Sequence, residues 1–468
     1  MPASALWQDE EHKMSAYSQA KQYLRTKGYE LPSVMNGYIS EWKGWYMGAN
    51  NFYTYREVSE SRTYVYDRKT LYPARWVANQ WASLLFNENT EIVSDDEAAN
   101  LWLEAYLNKA GFLGKGQALV ETGFALGTAA WSLRFGGLNE HELKSPNASV
   151  YIQRHDAEQI IPLTYDEDTL TDVAFISSCV IGGKEYAQLS IHELGDNGYT
   201  VTVLFFDKHG LVTTGREGII ETGSDIPLFG IVKPALDNIY DPLSPMGRSI
   251  YDDAIDAIKM VDLCWDNMYK DVYLGQTIVF VSDTLLDVDA NGKTIIPREK
   301  DQQIFRKVAG DGGSASSNIE TFQPSLRISE NSQAITEAID KLSMRCGFGK
   351  GYLNASRINK TATEVISDNA DLFNHLKTHQ NQLAPSLRGL GDALLWSATN
   401  VLGIPLAEST VDVRFADSIV DDSQAQRAQD LADVGAGLMQ PYEYRVKWYG
   451  EGEEEAKNNV SGPIESVL

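Results

Sequence analysis

The sequence predicts an α+β chain, and three observations carry that expectation. A helical, aromatic-rich stretch runs from Asp9 to Ala125. Short β-type segments follow from about Ser149 to Val232. Two amphipathic helices then bracket a small α/β excursion of roughly fifty residues. At about 150 residues per domain, the 468 residues suit roughly three domains. Hydrophobic residues at 43% and charged residues at 22% are ordinary globular proportions, which excludes wholesale disorder and collagen-like structure. Lys and Arg number 40 against 65 Asp and Glu, a formal charge of −25. That balance argues against non-specific gripping of DNA and against docking on anionic membranes, since both need clustered cations.

Cys179, Cys264 and Cys346 are far apart and form no CxxC pair, so neither a zinc ribbon nor a disulfide framework is expected. Met1 to Lys13 carries Asp9, Glu10 and Glu11 and no apolar core, so it does not read as a signal peptide. No run of about 18 apolar residues occurs, and no membrane span is expected. A soluble chain made in a reducing cytoplasm fits these features.

In the helical part, Tyr72 to Phe86 reads as one helix, with Pro73 suited to its first turn. Trp76, Val77, Trp81, Leu84 and Leu85 on it read as core packing. Val173 to Val180, Ala187 to Ile191 and Tyr199 to Phe206 are separated by Gly182-Gly183 and Asp196 to Gly198, the spacing of an antiparallel meander. Asp241 to Gly247 reads as a linker that launches a long helix at about Ser249. Tyr251, Ala254, Ile255, Ile258, Val261, Trp265, Met268 and Val272 form its apolar stripe. Asp252, Asp256, Asp262 and Asp266 are expected on the other side, as a solvated face or as a face lining something negatively charged. A strand follows at Thr277 to Val281, then a hairpin signalled by Asn291-Gly292, a Ser/Gly-rich segment at Gly310 to Ser317, and a second amphipathic helix from near Ser329.

The enzyme motifs fail one by one. Asp287, Asp289, Asn291 and Gly292 copy half a calcium loop, but the twelfth position is Arg298 and a hairpin turn explains the same residues. His375 and His379 lie four apart, yet Leu376 stands where a metalloprotease needs Glu, so a surface pair is expected. Gly347-Phe348-Gly349-Lys350-Gly351 lacks the Ser or Thr of a phosphate loop. Gly310 to Ser317 lacks the closing Gly of a nucleophile elbow. No catalytic activity, cofactor or metal is expected. The informative feature is the window from Lys341 to Lys360, whose five cations (Lys341, Arg345, Lys350, Arg357 and Lys360) and no acid give +5. With Gly347, Gly349 and Gly351 it reads as a mobile loop, either merely solvated or touching phosphates transiently.

Several stretches, taken in order, resemble the portal proteins of long-tailed double-stranded DNA phages, in the branch infecting Gram-positive hosts. Leu71 to Ile92 is similar to the family's early helix, which ends in an Asn-Glu-x-Thr-Glu-Ile turn. Val120 to Phe135 resembles its Ala-Leu-Gly-Thr passage from helix to strand. Lys233 to Leu274 is similar to its Asn-x-x-Asp, Gly-x-Ser-Ile-Tyr and Ala-Ile-Asp run. Lys360 to Ile366 and Asp412 to Asp422 resemble its Thr-Ala-Thr-Glu and Phe-x-Asp-Ser-Ile segments.

The resemblance implies an N-terminal helical arm (1–60), a wing of helices and β-meander (61–246), and a first stem helix (247–275). It places the clip at 276–328, a second stem helix at 329–346 and a tunnel loop at 347–362. The tunnel helix and its return to the wing would occupy 363–420, with a short crown at 421–468. It further implies a ring, usually of twelve subunits, at one capsid vertex of the virion, assembled in the host cytoplasm. DNA would be packaged and ejected through that ring. Lys350, Arg357 and Lys360 would touch DNA, while Asp252, Asp256, Asp262 and Asp266 would line the channel and repel phosphate. Asp287, Asp289, Asn291, Gly292 and Lys293 would be the clip hairpin on which the terminase large subunit, and then head–tail adaptors, dock. Major capsid and scaffolding proteins complete the implied partners, with no membrane among them. Another structural virion component, such as an adaptor or minor capsid protein, is the first alternative, and a calcium-dependent hydrolase using Asp287, Asp289 and Asn291 the second.

Overall fold

Pro73 fits the first turn of a helix because its missing N–H has no intrahelical partner there to lose. In the computed structural model this proline opens α3, in a front part made of α1 (Ala3–Thr26), α2 (Val34–Met47), β1 (Thr54–Ser59), β2 (Arg62–Asp67), α3 (Pro73–Leu85), β3 (Glu91–Ser94), α4 (Glu97–Ala110) and α5 (Phe112–Leu126). The structure describes residues 3–59, 62–138, 143–145, 147–166, 169–275, 278–282, 305–308, 319–354, 370–415, 423–449 and 451–460. Helix α3 buries Ala74, Val77, Ala78, Trp81 and Leu85 at steps of one, three and four, and Trp81 is fully enclosed, as core packing requires. The Asp96 side chain caps α4 by accepting from Ala99 N at 2.8 Å.

The β-rich part comprises β4 (Ala129–Gly136), β5 (Ser149–Asp156), β6 (Ile160–Asp166), β7 (Thr169–Ile181), β8 (Lys184–Gly195), β9 (Gly198–Asp207), β10 (Gly210–Val212), β11 (Gly218–Glu221) and β12 (Phe229–Val232). One sheet runs β12-β4-β5; the larger runs β10-β9-β8-β7-β6, with β11 also on β9. The antiparallel meander expected from Gly182-Gly183 is present: φ is 57° and 80° at these glycines, and Ile181 faces Lys184 across the turn. Ala187, Leu189 and Ile191 of β8 pack with Ala16, Ala20 and Leu24 of α1. The opposite face of β8 carries Gln188, Ser190 and His192, all buried. There His155 stacks on Phe175 at 4.2 Å between ring centroids, and His192 meets the same ring edge-on at 5.5 Å.

The stretch expected as a linker is part of the core from Ser244 on, since Ser244 through Tyr251 are buried, while Pro242 and Leu243 stay exposed. Gly247 N donates to Thr128 Oγ1 (2.8 Å) and Ile250 N donates to Phe124 O (2.9 Å). These bonds tie the segment to α5 and the turn after it, and the helix begins later than Ser249. A 3-10 turn at Asp252–Ala254 leads into α6 (Ile255–Leu274). The two chain segments cross at two glycines: a Cβ on Gly127, where φ is 81°, would lie 2.6 Å from Gly247 O. The Leu-Gly-Thr turn and the Gly-Arg-Ser-Ile-Tyr run, 120 residues apart in the chain, therefore meet face to face.

Beyond α6, β13 (Ile278–Ser282), β14 (Phe305–Val308) and β15 (Ile319–Phe322) form a sheet with β13 in the middle, parallel to β14 and antiparallel to β15. Helix α7 (Ile328–Arg345) then packs on α6. The remainder is α8 (Ala370–Asn400), β16 (Val411–Arg414) paired with β3, and α9 (Ser423–Gly435), α10 (Pro441–Tyr449) and α11 (Glu453–Val460). The architecture is mixed helix and sheet, as expected. Among the described residues no helix is long and apolar enough to cross a membrane.

Candidate functional site

Helix α6 carries three of the four aspartates of interest, with Asp252 in the 3-10 turn before it, and helix geometry decides where Asp256, Asp262 and Asp266 point. At 100° per residue, Asp262 follows Val261 by one step and Ile258 by a full turn, so it borders the apolar stripe instead of opposing it. Asp262 is fully buried and its carboxylate accepts from Tyr53 Oη (2.6 Å), Thr70 Oγ1 (2.8 Å) and Leu71 N (2.8 Å). Burial pushes its pKa up, against the pull of these donors and of nearby Arg68. One turn on, Asp266 accepts from Lys69 N (3.0 Å) and pairs with Lys270 Nζ (2.6 Å). Asp252, whose side chain is 5% exposed, accepts from Trp42 Nε1 and Tyr240 Oη, each at 2.8 Å.

The expectation of four channel-facing carboxylates is therefore corrected for Asp252, Asp262 and Asp266. Each is enclosed by its own chain, because a buried carboxylate needs donors and segments 42–72 and 240 supply them. Asp256 alone of the four is open, its side chain 96% exposed and 3.0 Å from Lys259 Nζ. The exposed apolar residues of α6 are Met260 and Leu263, on the side away from Ile258 and Val261, and Tyr269, Val272 and Tyr273 in its last turns, all between 38% and 50% exposed. Val272, expected in the buried stripe, is among them, because the last turn of α6 runs past the core that covers Ile258 and Val261.

The two helices are clasped at their far end. Arg327 forks onto Asp271 (Nη2–Oδ1 2.8 Å, Nε–Oδ2 3.2 Å) and Asn331 Nδ2 donates to the same carboxylate at 2.8 Å. The Arg327 contact is the main reason Asp271 stays more acidic than an ordinary aspartate.

After α7 the chain enters the glycine-bearing loop, and its first half is anchored. Trp81 Nε1 donates to Cys346 O (2.9 Å), and the buried Phe348 ring stacks on Trp81 (4.7 Å) and Tyr352 (5.2 Å). Ser343 Oγ donates to Gly349 O, and Asn354 Nδ2 donates to Asp340 Oδ1 and to Thr336 O. The reading of a loose loop thus fails for Gly347 to Asn354, because an aromatic side chain between two glycines is pulled into the core. Lys341, Arg345 and Lys350 are exposed on this anchored base. Arg357 and Lys360 lie outside the described residues, as do Asp287, Asp289, Asn291, Gly292 and Lys293.

His379, expected on the surface, is 4% exposed while His375 is exposed. His379 Nδ1 accepts from Ala235 N (3.0 Å) and its ring meets Trp81 (4.7 Å) and Phe124 (5.0 Å) edge-on. Burial pushes its pKa down to about 3. Neither the Tyr53, Thr70 and Leu71 cradle nor the Trp81 anchor was singled out from the sequence. Only the Gly-Phe-Gly spacing at 347–349 signals an aromatic placed with unusual backbone freedom. Among the described residues, no group of three or more His, Cys, Asp or Glu side chains is placed to hold a metal ion.

No curated protein matches the chain significantly. A family model described as phage portal protein, SPP1 Gp6-like, matches residues 7–456.

Proposed function

Since this chain belongs to the family of SPP1 Gp6-like phage portal proteins, we propose that it is the protomer of a ring through which double-stranded DNA is packaged into the capsid and later ejected. The carrying observation is the family match over nearly the whole chain. The order of α6, the β13–β15 sheet and α7 supports it, being the order a stem, clip and returning stem require. In this reading α6 and α7 are the stem helices and residues 276–328 the clip. The clip hairpin with Asp287, Asp289, Asn291, Gly292 and Lys293 is the surface on which the terminase and later the head–tail adaptors dock.

The chemistry asked of the protein is modest: pass a polyanion without holding it. A chain of −25 repels phosphate overall. Exposed Asp256 adds to that charge, whereas Asp252, Asp262 and Asp266 hold the protomer together. Lys350, Arg357 and Lys360 make brief, salt-sensitive phosphate contacts, and the Phe348 anchor gives Lys350 a firm base. The exposed apolar residues Met260, Leu263, Tyr269 and Val272 of α6 are covered by the neighbouring protomer. Reversing the charge of Lys350, Arg357 and Lys360 together tests the DNA contact. Packaging or retention of DNA should change while ring assembly persists; if neither changes, these residues do not handle DNA.

A further inference from the structure

A cavity of about 470 Å³ opens where the β4–β5 edge lies over the β7–β9 face of the meander, covered on one side by the turn that leads into β11. Val203, Phe205 and Ile220 give it an apolar floor. Gln188, 2% exposed, opens its carboxamide into this space, and no side-chain hydrogen bond joins it to another described residue. Two arginines stand at the mouth. Arg134 lies over the Tyr151 ring at 5.2 Å, and Arg216 projects from the covering turn. Among the described residues neither guanidinium is paired with a carboxylate. The one acid in the lining, Glu217, is turned into its own loop, accepting from Thr214 N (3.0 Å), Thr214 Oγ1 (2.9 Å) and Arg216 N (3.0 Å). Both arginines act electrostatically on the half-buried Cys179 thiol on the cavity wall.

Apolar floor, buried amide and two cations at the mouth are the pattern of a small-ligand site, in which apolar contacts supply area and a few polar groups fix orientation. We propose that this cavity binds a small amphipathic carboxylate, its apolar body on the Val203 and Phe205 floor and its carboxylate between Arg134 and Arg216. Arginine's planar fork matches a carboxylate geometrically. Two guanidinium groups at one mouth, with the only lining acid turned away, leave it cationic and suited to an anionic guest. Gln188 supplies a donor and an acceptor to a polar atom along the ligand body. The site is internal to one protomer, so it does not depend on ring assembly.

Cys179 is a built-in reporter, because Cys264 and Cys346 are buried. The full chain is treated with a thiol-modifying reagent, with and without octanoate, and modification of Cys179 is followed by peptide mass mapping. Saturating octanoate should slow that modification by about tenfold or more, as expected of a site whose occupant covers the thiol. Octylammonium and inorganic phosphate at the same concentrations should leave the rate unchanged. The double variant Arg134→Gln, Arg216→Gln changes two exposed side chains and should keep Cys179 reactive while losing the protection. Calorimetric titration of octanoate into the Cys179→Ser variant should give a saturable heat that Gln188→Leu weakens. Absence of protection, equal protection by octylammonium, or protection retained in the double arginine variant would overturn the proposal.

Discussion

Strand β8 and helix α6 are both two-faced elements, yet they distribute polarity in opposite ways. β8 turns Ala187, Leu189 and Ile191 onto α1, and Gln188, Ser190 and His192 on its other face are buried as well. α6 buries Asp262 and Asp266 against the segment from Tyr53 to Leu71 and leaves Met260, Leu263, Tyr269 and Val272 in the open. The β-rich part is thus completed within one chain. Helix α6 is packed by Ile258 and Val261 together with these carboxylates, and it leaves exposed apolar residues along the rest of its length, of the kind that mark an interaction surface.

The largest expected effect separates the two regions by pH. Burial pushes the pKa of His155, His192 and His379 down to about 3, from an ordinary 6.5. A base with a depressed folded pKa binds its proton more readily when unfolded. Stability is therefore fully present above 6.5 and lost as pH falls toward 3, at up to about 1.4 kcal/mol per pH unit for each group. Urea unfolding should show a loss of up to about 5 kcal/mol between pH 6.5 and pH 5. Asp262 works the other way: its folded pKa is raised, so its contribution is greatest at low pH and falls as pH rises through that value. A flat pH profile over this range would remove the distinction.

Next in size is the crossing that joins the regions. In Gly127→Ala a Cβ at positive φ would press on Gly247 O, and we expect about 3 kcal/mol of lost stability from strain and displaced backbone together. A urea midpoint unchanged in that variant would mean the two segments part easily. Asp262→Ala removes the shared acceptor of Tyr53, Thr70 and Leu71 and should cost about 2 kcal/mol, the penalty of buried donors left without a partner. Asp256→Ala, at an exposed position, should change stability by less than about 0.5 kcal/mol. Equal effects at Asp256 and Asp262 would erase the difference between the two sides of α6.

Local patterns were readable wherever the partner lay close in sequence. The meander followed from Gly182-Gly183 and Asp196 to Gly198, and α3 from Pro73 and its apolar spacing, because turn chemistry and helical period act over a few residues. What distant segments decide was not readable. His379 looked exposed because its partners, Ala235 and Trp81, are far along the chain. Asp241 to Gly247 looked like a linker because nothing nearby shows that Gly127 and Thr128 receive it. The aspartates of α6 were assigned by contrast with the apolar stripe, although Asp262 sits at its edge, where a carboxylate is buried only if another segment brings donors. Arg134, Cys179, Gln188 and Arg216 come from four separate stretches and carried no motif.

The central claim is that the exposed apolar residues of α6 lie between protomers of a ring. Electron microscopy of the purified chain and of a Met260→Ser, Leu263→Ser, Val272→Ser variant tests it directly. The account predicts closed rings with a central channel from the natural sequence. It predicts separate protomers from the variant, whose urea stability as a protomer stays within about 1 kcal/mol because the changed side chains are exposed. Monodisperse protomers from the natural sequence under all conditions, or intact rings from the variant, would contradict it.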